Sequence, residues 1–334
     1  MKEAGFWKKE SGKVRCLLCP RECLIGKGET GFCSARKNID GKLFSIVYGR
    51  PCSVNVDPIE KKPLFHFAPG TSCLSIATVG CNLDCSFCQN YEISHPKSVF
   101  GNEYSPEDII ELARRYAVPG IAYTYTEPTI FFEYAYDIMR LARKEGLYNV
   151  WVSNGYINPE PAKRVSRFLD AINVDMKGDV RFYQKLCGIP DEIPVQEALK
   201  VYKENGVWVE VTNLVIPGYN DKPEQFRSLA EWVRDNLGPE TPLHFSRFYP
   251  MFRLRNTEPT PLRTLERAAE IASEAGMNYV YIGNFPGHEK ENTYCPRCGE
   301  KTAERTSYQV FSFSTVCQKC GNRIPVAGEK WINK

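Results

Sequence analysis

Three cysteines, Cys81, Cys85 and Cys88, lie in the stretch Gly80-Cys81-Asn82-Leu83-Asp84-Cys85-Ser86-Phe87-Cys88-Gln89-Asn90, directly after the apolar run Leu74-Ser75-Ile76-Ala77-Thr78-Val79. A strand that ends in a tight cysteine loop can aim three thiolates at one point, and thiolates so spaced suit an iron–sulfur cubane. The odd number constrains the chemistry. A closed structural zinc takes four protein ligands, whereas three leave one coordination position open. Three buried cysteines that bind nothing are the plain alternative, but free cysteine is kept more often for reactivity than for packing.

The remaining cysteines are grouped as well. Of fourteen in the chain, Cys16, Cys19, Cys23 and Cys33 form one set and Cys295, Cys298, Cys317 and Cys320 another, while Cys52, Cys73 and Cys187 stand alone. Cys73 and Cys187 read as packing residues. Grouped thiols in a reducing compartment point to metals, not disulfides. The N-terminus from Met1 to Lys13 is polar, and no apolar run approaches membrane-spanning length, so a cytoplasmic protein without a membrane partner is expected. With 43 basic and 40 acidic residues the net charge is +3, which gives no case for a polyanionic partner, and nucleic acid is not expected.

Cys16-x2-Cys19-x3-Cys23-x9-Cys33 lies among Gly26, Gly28 and Gly31, in a segment with too little apolar surface to fold alone. Zinc, a second iron–sulfur cluster and four unliganded thiols all fit this spacing. At the other end, Cys295-x2-Cys298-Gly299 and Cys317-x2-Cys320-Gly321 match a zinc ribbon, with Val310–Ser314 as a strand between the knuckles. A closed Zn(Cys)4 is expected there, a rubredoxin-like single iron being the alternative.

Between these ends, strand-like and helix-like segments alternate. Strands are expected at 74–79, 121–126, 149–153, 171–175, 207–216, 243–246 and 279–282, with helices opening near Ser105, Ile130, Asn158, Val195, Lys222 and Leu262. Such alternation implies parallel βαβ units, and six or seven of them with right-handed crossovers curve into a partly closed barrel. Active sites of such barrels gather at the C-terminal strand ends. Those ends carry Cys81–Cys88, Glu127, Asn154, Asp175 with Lys177, Asn213 and His244. The two prolines and charge run of Asp57–Phe67 read as an extended connector, and His66 as a surface loop residue. The expected organisation is a Cys-rich segment over 1–70, a barrel over 71–290 and a ribbon over 291–334.

The C-x3-C-x2-C loop with Phe87 before its third cysteine resembles the signature of radical S-adenosylmethionine (SAM) enzymes. Together with the Cys-x-Leu-Cys-Pro opening and the Asp57–Leu64 segment, it resembles the AmmeMemoRadiSam-system radical SAM enzymes, relatives of the pyruvate formate-lyase activating enzymes, over residues of about 16 to 290. The resemblance implies an α/β fold, a partial (β/α)6-type radical SAM barrel. It also implies a [4Fe–4S] cluster on Cys81, Cys85 and Cys88, whose remaining iron binds SAM, and a one-electron reductant as partner. SAM would then be cleaved to a 5′-deoxyadenosyl radical that abstracts hydrogen from a substrate.

By the same resemblance Glu127 meets the SAM amino group, although Tyr125 and Thr126 replace the usual glycines. Asp175 and Lys177 contact the methionine moiety, Asn154 and His244 lie near the ribose, and Phe87 packs beside the adenine. The plain alternatives are a helix-start carboxylate for Glu127 and a surface ion pair for Asp175–Lys177. A substrate tied to Memo-type proteins is the family expectation, and activation of a glycyl-radical protein substrate is the second. A binding protein whose cysteines are all structural is the rival from another class.

Overall fold

The computed structural model describes residues 1–332. The N-terminal segment forms two small three-stranded sheets from β1 (Lys2–Glu3), β2 (Trp7–Glu10), β3 (Lys13–Cys16), β4 (Leu24–Ile25), β5 (Arg36–Ile39) and β6 (Lys42–Ser45), in the orders β1-β6-β5 and β2-β3-β4.

The centre is one eight-stranded sheet. β7 (Ser53–Pro58) pairs antiparallel with β8 (Ser72–Ala77), and the cysteine loop, α1 (Tyr91–Ser94) and α2 (Pro106–Arg115) follow. Next come β9 (Gly120–Tyr123), α3 (Phe132–Lys144), β10 (Tyr148–Ser153), α4 (Pro159–Ser166) and β11 (Ala171–Asp175). The short α5 (Val180–Phe182) and α6 (Ile193–Glu204) lead to β12 (Trp208–Val215), α7 (Pro223–Leu237), β13 (Leu243–Arg247), α8 (Leu262–Glu274) and β14 (Val280–Gly283). Strands β8 to β14 are parallel and adjacent in sequence order. The expected alternation is therefore present, element for element.

Local chemistry accounts for the helix starts. Ser105 and Asp108 form a reciprocal capping box before α2, at 3.1 and 2.7 Å, which is worth about 1 kcal/mol. α3 begins later than expected because Pro128–Phe131 makes a 3-10 turn first, with Glu127 accepting from Thr129 N at 3.0 Å. Asn158 does not cap α4 with its side chain. Its Nδ2 donates to Leu17 O at 2.8 Å, and so fastens the N-terminal segment to the barrel.

Along the strands, side chains alternate between two cores. Ile121, Trp151, Ile172 and Val174 face the helix layer, whereas Ala122, Tyr148, Val150 and Ala171 join an inner core with Phe67 and Trp331. That inner core is closed from below by the C-terminal segment: Ala327 bridges Phe67, and Trp331 Nε1 donates to Gly146 O at 2.8 Å. β15 (Thr293–Tyr294), β16 (Lys301–Thr306) and β17 (Gln309–Phe313) form the last sheet, and Phe65, Tyr279 and Tyr281 pack against Cys295, Cys317 and Ile324.

Two expectations are corrected. The Asp57–Phe67 stretch is not a plain connector: Asp57 and Pro58 end the edge strand β7, Ile59–Lys61 turn once, and the chain then enters the barrel. His66 is not at the surface. It is 1% exposed, with Nδ1 2.7 Å from Pro325 O and Nε2 2.5 Å from the Tyr281 hydroxyl. No helix among the described residues is long and apolar enough to cross a membrane.

Candidate active site

The cysteine loop leaves the C-terminal end of β8 through Gly80, whose φ is +106°. A Cβ there would meet Cys33 O at 2.3 Å, so only glycine permits both the turn and the close approach of the N-terminal segment. Beyond it the loop is pinned by its backbone. Asp84 N donates to Cys187 O at 3.0 Å, Ser86 N to Leu186 O at 2.8 Å, and Arg253 N to Ser86 O at 2.9 Å. Leu83 N and Asn154 Nδ2 approach Cys81 Sγ at 3.4 and 3.7 Å, and Cys88 Sγ lies 3.6 Å from Ser94 Oγ.

Cys81, Cys85 and Cys88 open into a cavity of about 320 Å³ that is also lined by Phe87, Glu127, Asn154, Asp175 and Lys177. All but one of the barrel-end residues singled out for the cofactor thus share one space. Burial, with the Glu127 charge second, pushes the Cys81 thiol well above its ordinary range. The neighbouring Cys187 thiol, with burial second, does the same for Cys85. Thiols so placed ionise readily only when a metal takes the place of the proton. Three converging sulfurs over an open cavity fit a cluster with one iron left for another ligand.

Glu127 is 1% exposed. Its Oε1 accepts from Thr129 N at 3.0 Å, Thr129 Oγ1 at 2.6 Å and Ser153 Oγ at 2.8 Å, while Oε2 accepts from Asn154 N at 2.8 Å. Burial raises its pKa against the pull of these donors. Three donors crowd Oε1 whereas Oε2 carries one, so Oε2 is the oxygen with a lone pair left for a further donor. Asp175 and Lys177 form an ion pair of 2.6 Å in which the lysine is buried and the Asp175 side chain is 37% exposed, so the pair is half-buried at the cavity edge. Burial alone would lower the Lys177 pKa, but the Asp175 carboxylate and the Cys85 sulfur hold it well above the usual value. Phe87 is buried with its ring centroid 5.6 Å from that of Phe182, and Lys177 Nζ stands 5.8 Å over the Phe87 ring.

His244 is the residue the structure does not bring into this cavity. It is the second residue of β13, a layer below the strand end, with Nε2 2.7 Å from Glu210 Oε2. Glu210 also accepts from Phe65 N, His66 N and Trp208 Nε1. His244 instead lines an adjoining cavity of about 330 Å³ with Phe65, Tyr249 and Tyr308, and the two cavities share Lys61, Gln89, Thr212, Ser246 and Asn284. Asn213, also at a barrel end, donates to Met176 O at 2.7 Å and braces the Asp175–Lys177 turn.

Several rim residues were not singled out from the sequence. Lys61 and Lys62 line the cysteine cavity and pair with Asp57 at 2.7 and 2.6 Å, and Tyr125 donates its hydroxyl to the same carboxylate. Burial alone would raise the Asp57 pKa, but these three partners hold it well below the usual carboxylate range. Tyr125 has φ +62°, the left-handed conformation glycine takes without strain. The charge run in 57–62 was the available signal, but its pairing with Tyr125 crosses from β7 to the end of β9.

At the other end of the chain, the sulfurs of Cys295, Cys298, Cys317 and Cys320 all lie within 4.8 Å of one another, with Cys295–Cys320 at 3.6 Å and Cys298–Cys317 at 3.5 Å. Gly299 and Gly321, with φ of +74° and +70°, return each knuckle so that its amide donates to Cys295 O and Cys317 O. Such a set can hold one tetrahedral metal ion.

Comparison with known proteins agrees with the geometry. Residues 75–233 match the profile of the radical SAM superfamily. An uncharacterized protein of Methanocaldococcus jannaschii is 49% identical over 98% of this chain and 99% of its own. Pyruvate formate-lyase 1-activating enzyme of Escherichia coli K12 is 22% identical over 60% of this chain and 89% of its own. In fold, a radical SAM methyltransferase from Sphaerobacter thermophilus superposes with a TM-score of 0.51 at 16% identity, covering 64% of this chain and 66% of that one. With its three-cysteine loop at the head of a parallel barrel, this chain is an enzyme of the radical SAM superfamily.

Proposed function

We propose that Cys81, Cys85 and Cys88 hold a [4Fe–4S] cluster, that SAM occupies the cavity above it, and that the adjoining cavity receives the substrate. The observation that carries this reading is the convergence of the three sulfurs, a buried carboxylate whose Oε2 accepts from a single donor and a buried ammonium on a single 320 Å³ space. When reduced by one electron, the cluster supplies the reductive cleavage of SAM to methionine and a 5′-deoxyadenosyl radical. The chain's own residues orient the cosubstrate. Glu127 Oε2 accepts from the amino group, Lys177 offers positive charge towards the carboxylate, Asn154 and Asp175 present polar groups to the ribose and methionine portions, and Phe87 offers an apolar face to the adenine. His244 acts lower, by fixing Glu210 beneath the second cavity.

Hydrogen abstraction from a small molecule or peptide side chain is the reaction favoured, because the second cavity, at about 330 Å³, falls within the range of small-ligand pockets. A link to a Memo-type protein rests on the sequence resemblance. The similarity to an activating enzyme favours, as a second reading, a protein substrate that receives a glycyl radical. Zinc is proposed for the ribbon cysteines, whose sulfur spacing matches tetrahedral bonds of about 2.3 Å. None of the fourteen cysteines is joined in a disulfide, which suits the reducing cytoplasm.

The test is anaerobic turnover: cluster-loaded protein, dithionite and SAM should yield 5′-deoxyadenosine and methionine in equal amounts. With a true substrate carrying deuterium, the label should appear in the 5′-deoxyadenosine. A loaded cluster that never cleaves SAM would contradict the reading.

A further inference from the structure

Cys16, Cys19, Cys23 and Cys33 are brought to one place by the N-terminal sheets. Cys16 ends β3 and its amide donates to Cys23 O at 3.0 Å, which closes the loop that carries Cys19. Cys33 reaches the same place from the approach to β5, with its carbonyl against Gly80. The four side chains line one small cavity together with Arg36 and Asn82.

Arg36 is the unexpected member. It is 1% exposed, and only one of its three guanidinium nitrogens is engaged: Nη2 donates to Gly5 O at 2.8 Å and to Glu133 Oε1 at 2.5 Å. Nε and Nη1 have no partner, although both are buried. Buried donors without acceptors are rare in folded proteins because desolvation is not repaid. Here the donors belong to a cation that borders four cysteines, where an anionic, acceptor-rich group would satisfy them.

The sulfur spacing narrows the identity of that group. A single tetrahedral ion with bonds of about 2.3 Å draws its sulfurs to about 3.8 Å from one another. Among the described residues only the ribbon sulfurs gather within 4.8 Å. No three of the N-terminal four gather that closely, and neither do Cys81, Cys85 and Cys88. Wider spacing suits a cubane, and four cysteines complete its coordination.

We infer that Cys16, Cys19, Cys23 and Cys33 bind a second, fully cysteine-ligated [4Fe–4S] cluster, with the free N–H groups of Arg36 directed to its thiolate and sulfide sulfurs. The site adjoins the catalytic loop through Asn82, whose Oδ1 accepts from Asn154 Nδ2 at 2.9 Å, and Asn154 in turn approaches Cys81 Sγ. Its existence does not depend on the reaction proposed for the first cluster.

The experiment is metal and sulfide analysis of a C81A/C85A/C88A variant, reconstituted anaerobically with iron and sulfide. It should keep about four iron and four sulfide per chain and, when reduced, an EPR signal that SAM leaves unchanged. Zinc alone, or no cluster, in a folded triple variant would overturn the inference even if wild-type protein still cleaved SAM. Should the variant fail to fold, Mössbauer spectroscopy of wild-type protein decides. About eight iron atoms per chain, half of them insensitive to SAM, support the second cluster; about four irons, all in one cluster that responds to SAM, overturn it.

Discussion

Glu127 shows how a single carboxylate can serve fold and chemistry together. Three donors on Oε1 fix the 3-10 turn after β9 and the end of β10, and Asn154 N on Oε2 sets the turn that carries Asn154 over Cys81. The helix-start role and the proposed cofactor role are therefore not rivals, because the bonds that serve the first leave Oε2 with a single donor. A charged hydrogen bond of this kind is worth about 1.5–3 kcal/mol, or about 10- to 150-fold in affinity. Glu127→Ala should weaken SAM binding by about that factor while iron bound at Cys81, Cys85 and Cys88 is unchanged, as equilibrium binding and iron analysis would read. Unchanged SAM affinity would remove Glu127 from the cofactor site. This residue was legible because it directly follows a strand-like apolar run and precedes Pro128, although two of its partners, Ser153 and Asn154, lie 26 and 27 residues away. His66 was not, since the partners of its ring, Tyr281 and Pro325, lie 215 and 259 residues away.

At the scale of elements, the segment from β7 to Phe67 acts as a plug threaded into the barrel, and His66 is its titrating group. Burial pushes the His66 pKa down to about 4, so the folded protein resists a proton that the unfolded chain accepts near 6.5. Between these values the unfolded state binds more protons, and stability falls as pH falls, by about 3 kcal/mol in total. His66→Gln should lack this component: from pH 7 to pH 4 wild-type protein should lose about 3 kcal/mol more than the variant in denaturant titrations. Parallel losses would show that His66 does not carry the effect. The edge strand β7 escaped sequence analysis because Ser-Val-Asn-Val-Asp-Pro has exposed Asn55 and Val56 and ends in proline, as befits an edge. The parallel strands were plain because their runs are apolar on both faces.

Across the whole molecule the ribbon cysteines stand apart from the Cys81–Cys88 loop and the N-terminal four beside it. The ribbon cysteines pack against Phe65, Tyr279 and Tyr281, whereas Cys81, Cys85 and Cys88 open into the cavity at the C-terminal strand ends. Cys85→Ala should therefore lose the catalytic cluster and keep about one ribbon zinc per chain, by metal analysis; joint loss of both metals would contradict separate sites. The barrel itself could be read from alternation, but the depth of His244 could not. Ser246, paired with Leu214, lines the cysteine cavity, whereas His244, paired with Thr212, does not. Register of this kind depends on the stagger between strands, which no single strand records.

The central claim is that the cluster on Cys81, Cys85 and Cys88 leaves one iron open for SAM. The most direct measurement is EPR of the anaerobically reduced, cluster-loaded protein, with and without SAM labelled with 15N at its amino group, followed by pulsed detection of the label. SAM should alter the spectrum of the reduced cluster, and the labelled nitrogen should couple to it. A reduced cluster whose spectrum ignores SAM, with no coupling to the label, would contradict the account.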